Sequence, residues 1–168
     1  MTTNPIDGAA EFFFKAAQAG DQGIPLPNDL MPPDADAAYQ VQDRLQKMWI
    51  DAGAGAIVGW KVALTSKVMQ ELLGVARPCE GAIFASRVHH GDVTVAHGDF
   101  VNIGVESEIA VRIAHDLPAT GTPYDQDNIR PGVAACMAAI EIVDDRAIDY
   151  KLVEAPQLIA DNSFNAGC

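Results

Sequence analysis

Residues 105–113, with the sequence VESEIAVRI, constrain the fold more than any other part of the chain. Apolar and polar side chains alternate along them, and this period of two is typical of a β-strand rather than a helix. The alternation places an almost continuous apolar face on one side and brings Glu106 and Glu108 together on the other. Their Cα atoms are about 7 Å apart in a strand, so two long side chains can converge on one point. The segment therefore predicts a strand with one apolar face and one acidic face.

A third acid, Glu141, lies inside the apolar run AAIEIV, where the sequence predicts another strand. An isolated carboxylate buried there would cost several kcal/mol unless it were paired or coordinated. If this strand neighbours the first, three carboxylates meet, and oxygen-only ligands suit a hard divalent cation such as Mg²⁺ or Mn²⁺. Spacing alone favours the alternative, an amphipathic edge strand with a solvated acidic face, because E-x-E in a strand is common.

Lys61 lies in a predicted strand of the segment GWKVAL, between Trp60 and Val62. A lysine that is taken out of water loses part of its preference for the charged form, which makes it a candidate acid or base. The alternative is a lysine on an edge strand that reaches solvent. The spacing alone does not separate these two interpretations.

The composition limits the classes of partner. The 168 residues are 49% hydrophobic and carry a net charge of −12, which suits one compact domain, or one domain with a smaller lobe. Such an acidic surface repels phosphate backbones and anionic lipid, so we expect neither nucleic acid nor membrane as a partner. Three widely spaced cysteines without a C-x-x-C pair describe neither a disulfide framework nor a zinc site. No segment approaches the roughly 20 apolar residues of a membrane helix, and we expect a cytoplasmic protein.

The order of predicted elements indicates an α+β fold, in which a helical N-terminal region precedes mixed β structure. Asp34 follows two prolines and is the predicted N-cap of a helix, and Gly74 is the predicted end of a shorter one. The predicted helices cover residues 8–18, 35–52, 66–74 and 128–139, and the predicted strands lie within residues 57–64, 81–105, 105–113 and 140–143.

Five segments occur in an order that resembles a known family. They are IVGWKVALTSKVMQELLGV, GAIFAS, VESEIAVRIAHDLPATGTPY, AAIEIVDDR and IADNSFNAG. Together they resemble the 2-keto-4-pentenoate hydratase and 4-oxalocrotonate decarboxylase branch of the fumarylacetoacetate hydrolase superfamily, from about residue 34 onwards. The resemblance implies a mixed β roll and a homo-oligomer. Residues 1–75 would be the N-terminal helical and α+β region, and residues 76–168 would be part of the β-roll domain.

The resemblance also implies a role for each candidate site residue. Lys61 would transfer a proton, and the substrate would be a 2-keto acid that chelates a Lewis-acidic cation. The implied ligands of Mg²⁺ or Mn²⁺ are Glu106, Glu108 and Glu141, and the implied substrate-binding residues are Asp161, Asn162 and Ser163.

Two departures from the family pattern bear on the reaction. Family members carry an acid in a P-D-[FY]-G segment, where this chain has Pro78, Cys79, Glu80 and Gly81. Glu80 lies one residue late and would point to the opposite face of an extended segment, so it does not replace the acid automatically. Family members also continue past the A-D-N segment with strands that close the roll, so we expect a C-terminally incomplete chain.

The first functional prediction is a hydro-lyase that hydrates 2-hydroxypenta-2,4-dienoate-type substrates in aromatic catabolism. A decarboxylase of 2-oxo-3-hexenedioate-type substrates would use the same site, and groups at the far end of the pocket would decide between the two. A C–C bond hydrolase of the same superfamily would need a Glu–His pair, whereas His89 and His90 lie in the turn HHGD without the surrounding motif. The fourth alternative is an inactive truncated remnant with an open roll and exposed apolar surface.

Overall fold

Two helices begin the part of the chain that the computed structural model describes, which comprises residues 4–119 and 121–168. Helix α1 (Pro5–Ala19) is capped by the side chain of Asn4. Helix α2 (Ala35–Trp49) begins after the predicted cap Asp34, whose side chain accepts a backbone hydrogen bond of 2.8 Å in the first turn. Position 120, inside the segment VESEIAVRIAHDLPATGTPY, lies outside the described residues. No helix within the described residues combines the length and the apolar character of a membrane span.

An antiparallel pair of strands follows the helices. Strand β1 (Ile57–Ala63) pairs with strand β2 (Cys79–Phe84), and Lys61 lies opposite Gly81 in the ladder. Helix α3 (Lys67–Leu72) connects the two strands. The strand and the short helix predicted in this region are therefore confirmed.

The second sheet contains three strands, each antiparallel to its neighbour. Their order is β3 (Ile103–Ile113), β4 (Val133–Asp144) and β5 (Asn165–Gly167). The ladder between β3 and β4 sets Glu106 directly opposite Glu141. The strand with Glu106 and Glu108 and the strand with Glu141 are therefore neighbours in one sheet.

Two predictions for the β region are wrong. The helix predicted over residues 128–139 is a short 3₁₀ turn, Arg130–Gly132, that leads directly into β4. The alanines of this segment favour a helix by intrinsic propensity, but pairing along β3 decides the structure. Between β2 and β3, where further short strands were predicted, the chain forms irregular turns in which Val93 is 51% exposed.

The apolar core joins the N-terminal helices to the last part of the chain. Helix α4 (Ala155–Ala160) packs against α2. Buried side chains from α1, α2, β2 and α4 form one cluster, whose large members include Phe13, Leu26, Leu45 and Leu158. The cluster contains residues from both sides of the predicted boundary at residue 75, so the two regions share a core. The division into two domains stays a prediction.

One face of the β3–β4 ladder leaves apolar side chains in solvent. Val105 is 70% exposed, Ile109 is 76% exposed and Ile140 is 60% exposed. The alternation in β3 therefore does produce an apolar face, and within the described residues this face is not buried. The opposite face carries the acidic residues.

Buried amide side chains connect α2 to the β structure. Gln42 donates hydrogen bonds to the carbonyl oxygens of Glu80, at 2.8 Å, and of Ile159, at 2.7 Å. Gln46 donates to the side-chain oxygens of Gln42, at 2.8 Å, and of Asn162, at 3.2 Å. Buried polar groups without a partner are costly, so these contacts hold α2, β2 and the end of α4 in one arrangement.

Replacement of Gln42 by leucine should lower the free energy of unfolding by about 1–3 kcal/mol, because buried carbonyl oxygens lose their donor. Chemical denaturation followed by circular dichroism measures the change. Gln40 is exposed on the same helix, and the control Gln40→Leu should stay within about 0.5 kcal/mol of wild type. Equal stability of Gln42→Leu and wild type would show that the buried amide does not support the fold.

Candidate metal centre and cleft

Three carboxylates meet on one face of the β3–β4 ladder. Glu106 and Glu108 project from the same side of β3, and Glu141 lies opposite Glu106 on β4. One carboxylate oxygen from each residue lies within 4.8 Å of the others. Like charges directly opposite one another on paired strands repel, so a cation would stabilise this arrangement. The oxygen-only donor set suits a hard cation of the Mg²⁺ or Mn²⁺ type.

The three carboxylates differ in burial and in partners. Glu106 and Glu108 are exposed, whereas Glu141 is 6% exposed. The Oε1 atom of Glu141 lies 3.2 Å from Nζ of Lys61 and accepts a hydrogen bond of 2.9 Å from Nδ2 of Asn165. A buried carboxylate needs such compensation, and here an ammonium group and an amide provide it.

Lys61 turns inward from β1. Its side chain is 11% exposed, and Nζ also donates a hydrogen bond of 3.1 Å to the carbonyl oxygen of Ser163. The alternative of an edge-strand lysine that reaches solvent is therefore wrong. The ammonium group lies between the carboxylate of Glu141 and a backbone carbonyl, at the edge of the acidic cluster.

The carbonyl that holds Lys61 belongs to a turn with an unusual backbone. Asn162, Ser163 and Phe164 have φ values of 51°, 51° and 58°, a left-handed conformation that costs free energy for residues with side chains. Such strain persists only where surrounding contacts enforce it. Gly81 makes room for the turn, because a Cβ atom at this position would overlap the carbonyl oxygen of Asn162. Glycine is needed here for the close approach of two backbone segments.

The three predicted substrate-binding residues lie in different surroundings. The side chain of Asn162 accepts a hydrogen bond of 2.7 Å from the N–H of Ala82 and donates one of 3.0 Å to its carbonyl oxygen. Asp161 is buried and forms an ion pair with Arg146. Of the three, Ser163 is the one that borders the large cleft.

An open cleft of about 700 Å³ lies in front of these groups. Its polar wall includes Lys61, Glu106, Glu108 and Ser163, so the fold brings most of the predicted site residues to one place. The rest of the wall is mostly apolar and contains valine, leucine, methionine and phenylalanine side chains. A few convergent polar groups in an apolar surround are typical of small-molecule sites.

Curated proteins with similar sequences are hydratases. The chain is 35% identical over 156 residues to 2-keto-4-pentenoate hydratase 1 of Dechloromonas aromatica, and the aligned region covers 92% of this chain and 58% of that protein. It is 30% identical over 161 residues to the TodF product hydratase of Pseudomonas putida, and the aligned region covers 96% of this chain and 59% of that protein. No protein-family model matches the chain.

The chain is similar to 2-keto-4-pentenoate hydratases over most of its length. The resemblance predicted from the five sequence segments is thereby confirmed. As expected from that resemblance, the curated relatives are longer, and the chain spans 58% and 59% of the length of the two described above.

Solved structures have the same fold as this chain. A 4-oxalocrotonate decarboxylase from Pseudomonas putida G7, complexed with magnesium and adipate, superposes with a TM-score of 0.87 at 22% identity. The match covers 99% of this chain and 62% of the decarboxylase chain. A second structure of the same enzyme, with calcium and acetate, gives a TM-score of 0.85. The predicted combination of helices and sheet in a fold of the fumarylacetoacetate hydrolase type is therefore confirmed.

At the position where the family pattern has an acid, this chain has a cysteine, Cys79. Cys79 is 2% exposed, and its Sγ lies 3.8 Å from the hydroxyl oxygen of Ser163. Burial raises the pKa of the Cys79 thiol, although the Ser163 hydroxyl and the charge of Lys61 oppose the shift. Glu80 points to the opposite side, as its position one residue later predicts, and accepts a hydrogen bond of 3.3 Å from the hydroxyl of Tyr39.

Two residues near the site were not predicted from the sequence. Asn165 contacts the carboxylate of Glu141, and Tyr150 borders the cleft while donating a hydrogen bond of 2.9 Å to Asp145. Burial and the neighbouring Asp145 raise the pKa of Tyr150, which keeps it a phenol. Asn165 lies in a three-residue strand and Tyr150 in a 3₁₀ turn, and such short elements carry no periodic signal.

The burial of Asp161 should make stability depend on pH. Burial raises the pKa of Asp161 from 3.8 to about 6, although Arg146 opposes the shift. The folded protein then binds this proton more tightly than the unfolded chain does. The contribution of Asp161 to stability is therefore fully present below about pH 4 and is lost as the pH rises to about 6.

Denaturation of the wild type and of Asp161→Asn across this pH range measures the effect. The free energy of unfolding of the wild type should fall by about 2–3 kcal/mol relative to the variant between about pH 4 and pH 7. The test depends on how the difference in unfolding free energy between wild type and variant changes with pH. Its absolute size also reflects the loss of the charged partner of Arg146 in the variant. A difference that stays constant over this range would contradict the raised pKa.

Proposed function

We propose that this chain carries the active site of a divalent-metal-dependent hydro-lyase that adds water to 2-hydroxypenta-2,4-dienoate-type substrates in aromatic catabolism. The observation that carries the proposal is the convergence of three carboxylates beside an ion-paired, mostly buried lysine at an apolar cleft. The names of the curated relatives support the same reaction. Because the chain spans less than two thirds of their length, activity of this chain is itself part of the proposal.

We assign Glu106, Glu108 and Glu141 as ligands of Mg²⁺ or Mn²⁺. Structures with the same fold contain magnesium or calcium, which are hard cations that take oxygen ligands. A bound cation of this class would supply Lewis acidity towards the oxygens of a 2-keto acid. The net charge of −12 would also favour the approach of cations to the chain.

The substrate would lie in the cleft with its carboxylate and 2-oxygen towards the acidic cluster. Ser163 borders this end of the cleft and would contact the substrate directly. Asp161 and Asn162 would contribute to the substrate pocket indirectly, since their contacts hold the turn that carries Ser163. The apolar remainder of the wall would accommodate the hydrocarbon end of a dienoate.

Lys61 is the proposed proton-transfer group. Its Nζ is held by the carboxylate of Glu141 and the carbonyl of Ser163, and the side chain borders the cleft. From there the ammonium group would give a proton to the terminal carbon of the dienol while the 2-hydroxyl loses its proton to solvent, which produces an enone to which water then adds. A short, well-defined path for the proton requires that the lysine be held in place, and both contacts do this.

A decarboxylase of 2-oxo-3-hexenedioate-type substrates is the second candidate, because the two solved structures described above are of a decarboxylase. We favour the hydratase because the relatives at 30–35% identity are hydratases. The uncharged Cys79 bears on the choice, since it lies close to Ser163 where the family pattern has an acid. A C–C bond hydrolase has less support, because His89 and His90 are exposed and do not border the cleft.

We also propose that the protein acts in the cytoplasm as a homo-oligomer with a small-molecule substrate, and without nucleic acid or membrane as a partner. The exposed apolar face of the β3–β4 ladder, with Val105, Ile109 and Ile140, supports self-assembly, because contiguous apolar patches mark interfaces. The acidic charge argues against binding to phosphate backbones. Sedimentation velocity reports the assembly state directly.

Isothermal titration calorimetry with Mn²⁺ and Mg²⁺ tests the metal centre. The wild type should bind a divalent cation, and Glu106→Gln should weaken the affinity by more than about tenfold, because even outer contacts of a metal site contribute about 10–100-fold. Glu154 is exposed and lies outside the cluster, so the control Glu154→Gln should bind like the wild type. Equal affinities of Glu106→Gln and wild type would remove the metal-site hypothesis.

Loss of the ultraviolet absorbance of 2-hydroxypenta-2,4-dienoate tests the role of Lys61. Lys61→Met should lower kcat by about 100-fold or more, since a positioned acid or base contributes about 10²–10⁴-fold. The control is Lys67→Met, on an exposed position of α3, which should retain the wild-type rate. Undiminished turnover by Lys61→Met would exclude a catalytic role. A wild type that binds Mn²⁺ without turnover would favour the inactive remnant.

A further inference from the structure

We infer that Asn165 is a positioning residue of the metal centre, which orients the carboxylate of Glu141 so that one of its oxygens is available to the cation. The inference rests on the proposed metal site. It concerns a residue that contributes no metal ligand of its own, and its evidence is the hydrogen bond of 2.9 Å between Nδ2 of Asn165 and Oε1 of Glu141.

The contacts of Glu141 are concentrated on one oxygen. Among the described residues, the hydrogen bond from Asn165 and the ion pair with Lys61 both end on Oε1. The terminal torsion of a glutamate side chain is soft, so a carboxylate rotates easily unless donors hold it. Two donors on Oε1 restrict this rotation, and in the described part of the chain no hydrogen bond or ion pair ends on Oε2, which is therefore available to a cation. An oriented ligand loses less freedom when a cation binds.

The two donors differ in how they respond to a cation. The ammonium group of Lys61 carries a positive charge, so it and a bound cation repel each other across the same carboxylate. The amide of Asn165 is neutral and stabilises the ionised carboxylate without this repulsion. The amide contact is therefore the one that persists unchanged when the site is loaded. Asn165 keeps Glu141 oriented in both states.

The backbone explains why Asn165 reaches Glu141. Strand β5 pairs with β4, and Asn165 of β5 lies opposite Val143 of β4. Glu141 is two residues before Val143 on β4, so its side chain is on the same face of the sheet. It follows directly after the left-handed turn at Asn162, Ser163 and Phe164. The same short segment thus supplies the carbonyl of Ser163 to the lysine and the amide of Asn165 to the metal ligand. Proton-transfer group and metal ligand are positioned by one structural unit.

Calorimetric titration of Mn²⁺ into the purified chain tests the inference without reliance on catalysis. Asn165→Leu keeps the number and branching of the side-chain heavy atoms and removes the amide, and it should weaken Mn²⁺ affinity by about tenfold, the lower end of the effect of outer contacts. Asn165→Ser keeps a small donor and should recover part of the loss. The control Asn102→Leu removes another amide that donates to a carboxylate, with a hydrogen bond of 2.7 Å to Asp145 outside the cluster, and should bind Mn²⁺ like the wild type.

Three results separate the inference from the proposed function. Absence of Mn²⁺ binding by the wild type would overturn the metal site itself. If the wild type binds Mn²⁺ and both Asn165→Leu and Asn165→Ser bind it with the wild-type affinity, the role of Asn165 alone would be overturned. Weaker binding in Asn165→Leu with partial recovery in Asn165→Ser supports it, provided that circular dichroism shows the wild-type fold. If Asn165→Leu does not fold, the comparison of Asn165→Ser with Asn102→Leu decides, because a shorter donor should still weaken affinity measurably.

Discussion

The hydrogen-bonded pairing of the Asn162 side chain with the backbone of Ala82 is the contact on which the site depends. One amide both accepts from the N–H and donates to the carbonyl of the same residue, so it replaces a neighbouring strand for β2 at that point. Gln46 contacts the same amide and connects it to α2. Since all of these groups are buried, loss of any one would leave its partner unsatisfied in a medium of low polarity.

This pairing accounts for the strained turn beside it. Three consecutive residues with positive φ would not persist in a free peptide, because each costs free energy. The side-chain contacts of Asn162 and Asp161 hold the turn from behind, and Gly81 leaves the space that it occupies. The turn aims the carbonyl of Ser163 at Lys61. Rigid, over-determined backbone of this kind is what an active site requires for its positioned groups.

Local patterns in the sequence predicted the strand with two glutamates, because the period of a strand alone decides which side chains share a face. They did not predict that Glu141 lies opposite Glu106, since register between distant strands is a tertiary property, and here only the resemblance to a family supplied it. The helix expected before Glu141 failed because alanine propensity was outweighed by strand pairing. The contacts of Asn162 and Asn165 depend on a turn in which Ser163 and Phe164 are also left-handed, a conformation that local rules do not favour for these two residue types.

The charges of the site indicate which ligand the fold is arranged to receive. Three carboxylates converge, and one of them is in contact with the ammonium group of Lys61. A single ammonium cannot balance three carboxylates, and Glu106 and Glu108 lie on the exposed side of the cluster, where an ion can enter. The buried member is thus compensated within the protein, while the exposed members retain the charge that attracts a divalent cation. In the proposed metal site, this division would let the chain fold without a metal, because only the buried carboxylate requires a partner in the metal-free state, and would leave the exposed carboxylates to a cation.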